Sequence, residues 1–343
     1  MIVNQSIEDI KNDKILQKSF LNAEFKKLNI NCNIFKGNFF LDSFNYFLIN
    51  EDNQSFENLF TRDMYQDNKH FFTEKFFQNF NNNLENFKEL KNIFVLGSSA
   101  ANNYYSNLLQ FLPRIFFLKK NNIKIAIHRN SSTKFREFIN LILISKKINF
   151  SFVYLDDGFY KFTNSEIPQF FSLSKSIRIL KDLLKPKKSE VEDKKIYVTR
   201  EDSSYRKIVN EADILPILRS KGYKVINPQL YNIDEQIRIF SQAEKIISPH
   251  GSNLSNIIFC KPGTEIYEIG PEFNSNFEKF FENRYKYLAE VNDLKYNRFL
   301  TDTVPVENHS NQAKKFINNE ILDNSNYYKN LIVKISDIEK ILD

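Results

Sequence analysis

The sequence predicts a two-domain α/β protein in which each domain is built on a parallel β-sheet. Three observations lead there. From Asn92 onward, apolar runs of strand length alternate with segments of helical spacing, as in chains of β-α-β units. The alternation stops at a charged stretch, Lys185–Asp193, and restarts beyond it. At 343 residues the chain exceeds one core of usual size, and 42% hydrophobic residues, with 35 Phe and 16 Tyr, supply apolar side chain for two.

The N-terminal domain is predicted over residues 1–184. Its first 90 residues are partly helical, with "HFFTEKFFQNFNNNLENFKEL" (His70 to Leu90) spacing its apolar residues as an amphipathic helix does. "NIFVLGS" (Asn92 to Ser98) reads as a strand, "NNYYSNLLQFLPRIFFLKK" (Asn102 to Lys120) as a helix and "IKIAIH" (Ile123 to His128) as the next strand. A helix over Thr133–Lys146 leads to "FSFVYLDD" (Phe150 to Asp157). After a linker over 185–195 comes the C-terminal domain, 196–300, where the pattern is cleaner. Strands are predicted at Lys194–Arg200, Lys224–Pro228, Lys245–Pro249 and Thr264–Ile269. Helices are predicted between them at Asn210–Tyr223, Ile233–Glu244 and Ser252–Cys260, with Gly222 and Pro262-Gly263 as stops. Residues 301–343 are expected as a tail packing back on the N-terminal domain.

Charge and cysteine usage narrow the function classes. The net charge of +6 comes from 48 basic and 42 acidic residues that are scattered, so no concentrated footprint for nucleic acid exists. Lys185-Pro186-Lys187-Lys188 is answered at once by Glu190, Glu192 and Asp193, as in a solvated linker. No apolar run reaches the ~18 residues of a membrane span, and Met1 to Asn12 carries acids where a signal peptide carries bases and an apolar core. A cytoplasmic location follows as the expectation, at most peripheral to the inner face of a membrane. Cys32 and Cys260, far apart and without partners at ligand spacing, are expected as reduced thiols rather than a disulfide or zinc site.

In an open parallel sheet, ligands bind beyond the carboxyl ends of the strands. That rule selects Arg200 and then Arg206 after the first C-domain strand, His250, Gly251 and Ser252 after the third, and Glu268 at the end of the fourth. A helix opening on Gly251, Ser252 and Asn253 presents free N–H groups and a positive dipole end, and arginine grips phosphate bidentately. A diphosphate fits that set. The bland readings are that Arg200 pairs with Glu201 or Asp202, that Asn210 caps a helix, and that Asn256 steadies a turn.

These residues carry a family resemblance. The order Arg200, Arg206, Asn210-Glu211, then "DEQIRIFSQAEKIISPHGSNLSNIIF" and "EIYEI", resembles glycosyltransferase family 61, whose bacterial members include capsular-polysaccharide-type transferases. The likeness covers Ile196 to Ile269 and extends more weakly to Asn102–Phe116. It implies a GT-B fold of two Rossmann-like domains facing a cleft, and inverting transfer without obligatory metal or cofactor. The implied donor is a nucleotide-diphosphate sugar, here expected to be a UDP-sugar. The implied acceptor is a glycan or lipid-linked glycan of surface polysaccharide or lipopolysaccharide. Arg200 and Arg206 would then neutralise the diphosphate, the Gly251–Asn253 amides and Asn256 would line its site, and Glu268 would accept from ribose or sugar hydroxyls. Ser106, beside Asn107 and Gln110, stands where the family tends to have His, so no role of that His transfers. Asn253 stands where Gly is frequent.

Inverting transfer also needs a base for the acceptor hydroxyl. His250 and the pair Asp156-Asp157 are the candidates, and the sequence does not choose between them. Asp156-Asp157-Gly158 is a weak metal signature, being most often a turn. A second reading, a catalytically impaired binding partner of a polysaccharide assembly complex, is motivated by Ser106. A nicotinamide enzyme is disfavoured because neither GSSAAN (Gly97 to Asn102) nor HGSNLSN (His250 to Asn256) has Gly-x-Gly-x-x-Gly spacing.

Overall fold

The computed structural model describes residues 34–44, 46–50, 87–98, 100–186, 194–274, 276–317 and 319–342. The chain divides into two compact units, Met1–Leu183 and Leu184–Asp343. Most of the expected helix at His70–Leu90 lies outside the described residues, as do Cys32 and the middle of the linker.

The N-terminal unit holds β1 (Ile34–Asp42), β2 (Phe47–Asn50), β3 (Lys88–Lys91), β4 (Ile93–Val95), β5 (Ile123–His128), α1 (Thr133–Ser145), β6 (Phe150–Leu155), β7 (Phe159–Pro168) and α2 (Leu173–Leu183). Its sheet runs β2-β1-β7-β4-β5-β6, with β3 also on β7. β4, β5 and β6 are parallel, as their apolar runs predict. The sheet as a whole is mixed rather than parallel, because β1 lies antiparallel to both β2 and β7. Phe39 of β1 stacks on Phe162 of β7 at 5.0 Å, so aromatic cross-strand packing holds the added strands. The C-terminal end of the expected His70–Leu90 helix, from Lys88, is strand β3.

The helix expected over Asn102–Lys120 is broken into an α-turn (Tyr104–Ser106), a π-helical stretch (Asn107–Phe111) and a 3-10 stretch (Leu112–Phe117). Pro113 has no N–H to give and its ring obstructs a continuous α-helix. Beside it Arg114 is wholly buried, donating to the carbonyls of Pro168 (2.9 Å) and Leu96 (2.6 Å), with its guanidinium 4.2 Å from the Phe170 ring. The Tyr46 hydroxyl also accepts from Arg114, and Tyr46 presses so close to Gly97, at φ 74°, that a Cβ there would sit 2.3 Å from its ring. Backbone and aromatic faces thus hold a buried cation with no carboxylate among the bonds it makes.

The C-terminal unit holds β8 (Lys195–Val198), α3 (Glu211–Ser220), β9 (Lys224–Ile226), α4 (Ile233–Gln242), β10 (Lys245–Pro249), a 3-10 helix (Ser252–Phe259), β11 (Glu265–Gly270), α5 (Asn276–Glu282), α6 (Arg284–Val291) and β12 (Lys295–Leu300). All pairings in its sheet, β12-β11-β10-β8-β9, are parallel. In chain order this is 2-1-3-4-5, a doubly wound arrangement with its switch point between β8 and β10. Ile196, Ile246, Ile247 and Ile266 are fully buried, each contributing about 1.5–3 kcal/mol by leaving water. α4 starts at a capping box in which Asn232 and Glu235 satisfy each other's backbone N–H. The segment after β10 is 3-10 rather than α-helical, Leu254 N–H bonding back to Gly251 O at 2.9 Å.

The rest of the chain comprises β13 (Asp302–Val304), α7 (Asn311–Phe316), α8 (Asn319–Asn324), β14 (Asn330–Ile332) and α9 (Ile335–Leu342). The expectation that 301–343 returns to the N-terminal domain is corrected: these residues pack within the C-terminal unit. Leu331, Ile338 and Ile341 join the core around Tyr197, Ile214 and Leu218. Asn210 does not cap α3 with its side chain but clasps Val333, donating to its carbonyl (2.8 Å) and accepting from its N–H (3.0 Å). Glu211 accepts from Tyr197 (2.6 Å) and Thr199 (2.8 Å), tying α3 to the end of β8.

Candidate functional site

The end of β8 and the end of β10 lie side by side at the switch point, and Arg200 and Gly251 are brought together there. Only 6% of Arg200 is exposed. Its guanidinium lies so close over Gly251 that a Cβ on that residue would be 1.9 Å from Nη1. Any side chain at this position has to push the Arg200 guanidinium aside, the backbone itself being extended. Nη2 donates to Tyr205 O at 3.3 Å, while Nε is buried without a partner. Among the described residues no carboxylate pairs with this arginine. Burial, reinforced by the charge of Arg206, brings its pKa down to about 10, which still leaves it a cation at neutral pH.

Arg206 is close by but differently engaged. From a left-handed backbone, φ 57°, it donates to His250 O (2.9 Å) and Tyr327 O (2.7 Å), with its guanidinium 3.9 Å from the Tyr327 ring. It clamps the β10 turn to the C-terminal segment.

His250 is 1% exposed and sits edge-on to Phe273, Tyr285 and Tyr327, with ring centroids 5.0–5.8 Å apart. Its Nδ1 is 2.6 Å from Glu268 Oε1. A carboxylate only accepts, so the proton lies on Nδ1 and Nε2 is left as a buried, unpartnered acceptor. Burial pushes the imidazole down to about 4, outweighing the pull of Glu268 in the other direction. Glu268 is itself fully buried, which pushes its carboxyl up. His250, Arg298 and the Tyr296 hydroxyl (2.8 Å) outweigh that and hold it below the usual carboxylate range. Both of its oxygens are thus engaged inside the protein rather than offered to a ligand.

Ser252 is half-buried and Asn253 buried at the start of the 3-10 helix, beside Gly251. Asn256 is fully buried and donates to Gln236 Oε1 (3.2 Å), and Gln236 in turn donates to Pro228 O (2.7 Å). These bonds join the turn to α4.

In the N-terminal unit, Asp156 and Asp157 follow β6. Asp156, its side chain half-exposed, is paired with exposed Arg129 at 2.5 Å, whose hydrogen bond lowers the carboxyl pKa. Asp157, 37% exposed at its side chain, meets Nε2 of buried His128 at 3.0 Å. Asn130 N–H donates to His128 Nδ1 at 3.1 Å, which puts the ring proton on Nε2, facing the carboxylate. The sequence places His128 at a strand end and gives it no partner. The carboxyl-edge rule, applied to β5 and β6 as it was to the C-terminal strands, selects both residues. Ser106, Asn107 and Gln110 are buried. Among the described residues no three His, Cys, Asp or Glu are grouped as a metal-ligand set, and no helix is long and apolar enough to cross a membrane.

Comparison with known proteins gives one family. The model of the family described as Glycosyltransferase 61 matches residues 37–267, which spans parts of both units and ends within β11. No curated protein matches the sequence significantly. Solved structures that it resembles include E. coli heptosyltransferase WaaC with ADP, at 9% identity and a TM-score of 0.26, over 68% of this chain and 98% of that one.

Proposed function

The chain belongs to glycosyltransferase family 61 and is a glycosyltransferase, and from that premise we propose that it transfers a sugar, with inversion and without a metal ion, from UDP-sugar to a glycan or lipid-linked glycan acceptor of a surface polysaccharide. The observation that carries the donor half is Arg200. Arg114 and Arg206 are each met by two backbone carbonyls, whereas buried Arg200 has one hydrogen bond at 3.3 Å and an unpartnered Nε, and an anion bound at the switch point supplies the missing partner and charge. The Gly251, Ser252 and Asn253 backbone beside it completes a diphosphate cradle. Arg206 and the His250–Glu268 pair hold the turn that shapes this cradle.

Inversion is a single displacement. The acceptor oxygen attacks the anomeric carbon as the bond from that carbon to the diphosphate oxygen breaks. The electron pair leaves on the nucleoside diphosphate, where Arg200 meets the growing charge. The acceptor proton passes to a carboxylate, a role we assign to Asp157. Its oxygen is held by His128 Nε2–H and its side chain reaches water, whereas His250 is sealed among aromatic rings.

Titration calorimetry with UDP, followed by turnover against a panel of UDP-sugars, tests the reading. Binding of UDP by the intact chain and its loss in Arg200→Ala are expected. Absence of UDP binding overturns the donor assignment. Binding without turnover across acceptors favours the impaired-partner reading that Ser106 motivates.

A further inference from the structure

A cavity of about 260 Å³ lies past the carboxyl ends of β11 and β12, within the C-terminal unit. The two strand ends supply Glu272, Leu300 and Thr301 to its lining, and the segment that follows supplies Asp302, Asn326 and Asp337. Bonds behind the lining fix its shape. Thr301 donates from its N–H to Gly270 O (2.9 Å) and from its hydroxyl to Ile332 O (2.5 Å), which ties β12 to β11 and to β14. Asn326 Nδ2 donates to Glu272 O (3.0 Å) while its Oδ1 accepts from Lys329 Nζ (3.0 Å). Walls held in this way are formed before a ligand arrives.

The lining discriminates among ligand chemistries. Three carboxylates, of Glu272, Asp302 and Asp337, stand against one lysine, Lys334, which is itself 3.4 Å from Asp302, so an anion is repelled. Among the described residues no three carboxylates are grouped as a metal-ligand set, so a divalent cation finds no cage. No aromatic ring lines the cavity, and a nucleobase would lack a face to stack on. A neutral molecule with several hydroxyls fits. Carboxylates accept such hydroxyls in charge-assisted bonds, the Thr301 and Thr303 oxygens add further acceptors, and Leu300, 56% exposed, covers the C–H face of a ring. The volume falls below the ~300–1,000 Å³ of sites for drug-sized ligands, as a site for a single ring would.

Position adds a second constraint. In the sheet β12 is two strands from β10 and three from β8, which sets the cavity roughly 10–15 Å from the Arg200–Gly251 pair at the usual strand spacing. A sugar bonded directly to a diphosphate held at that pair does not reach so far. We propose that the cavity binds one neutral sugar ring of the glycan acceptor, a unit removed from the one that reacts. The assignment rests on the acceptor half of the function proposed above and on no part of the donor site.

Titration of methyl glucoside, methyl galactoside and methyl N-acetylglucosaminide into the isotope-labelled full chain, followed by NMR at the amides of Thr301, Asp302 and Thr303, tests it. Saturable shifts at these amides with at least one of the three sugars, with or without UDP present, are expected. Asp302→Ala weakens that binding on the order of tenfold and Leu300→Ser roughly three- to tenfold, while both variants keep the far-UV circular dichroism and the UDP affinity of the parent. The inference is overturned by no shift with any of the three, by shifts confined to other residues, or by variants that bind like the parent. Saturable shifts at these amides with Mg²⁺ or UDP but with no sugar overturn it as well, assigning the cavity to a cation or to the donor. Failure of UDP to bind the parent would remove the donor reading and leave a positive sugar titration standing.

Discussion

Arg200 and Gly251 form a pair whose members fail together. Arg200→Ala removes charge-assisted bonds worth about 1.5–3 kcal/mol, so UDP affinity falls roughly 10- to 100-fold with the melting temperature little changed. Lysine does not restore it, because a point charge lacks the bidentate fork. Asp157→Asn separates catalysis from binding: transfer drops about 10²- to 10⁴-fold while calorimetric UDP affinity stays the same. A loss of affinity equal to the loss of rate would move Asp157 out of the base role. His250 gives a pH signature. Its folded pKa, about 4, lies below the ordinary histidine value of 6.5. The unfolded chain therefore binds the extra proton first, and stability falls as pH drops from 6.5 towards 4. His250→Gln flattens the melting-temperature profile in that window; an unchanged profile would show that the ring is not buried as a neutral group.

At the scale of elements, α9 and β14 are parts of the C-terminal core rather than an appendage. Ile338→Ala, at a fully buried position against α3, costs about 2–5 kcal/mol. Thermal denaturation measures it, and a neutral result would mean that α9 does not close this core. The parallel strands were legible because each is a short β-branched run between turn signals, "KIISP" being the clearest. β12 was not, because Lys295–Leu300 is an edge strand with charged residues along it. β1 and β7 escaped notice because Phe39 and Phe162 find each other across more than 120 residues, which no local period reports. Tyr104–Phe117 looks like one helix in the sequence because its apolar spacing outweighs a single proline until packing is known. The apolar residues of the tail show that it packs but not against which unit.

For the molecule as a whole, the candidate site is legible to the extent that strand order is. Arg200, His250 and Gly251 follow from the rule that ligands gather beyond strand ends, and family membership agrees with a sugar-transfer chemistry. What the rule could not supply was which side chains remain available. Arg206, Glu268 and Asn256 are placed at the right edge but are engaged with Tyr327, Tyr296 and Gln236, partners that lie tens of residues away in sequence. The sequence does not join His128 to Asp157 for the complementary reason, since Asp157 follows a different strand. The central claim is that the guanidinium lying over Gly251 receives the donor diphosphate. Calorimetric titration of UDP into Gly251→Ala tests it most directly, because the added methyl must displace Arg200 while leaving every charge in the protein in place. A loss of UDP affinity within a fewfold of that in Arg200→Ala is the predicted result; parental affinity in Gly251→Ala would contradict the account.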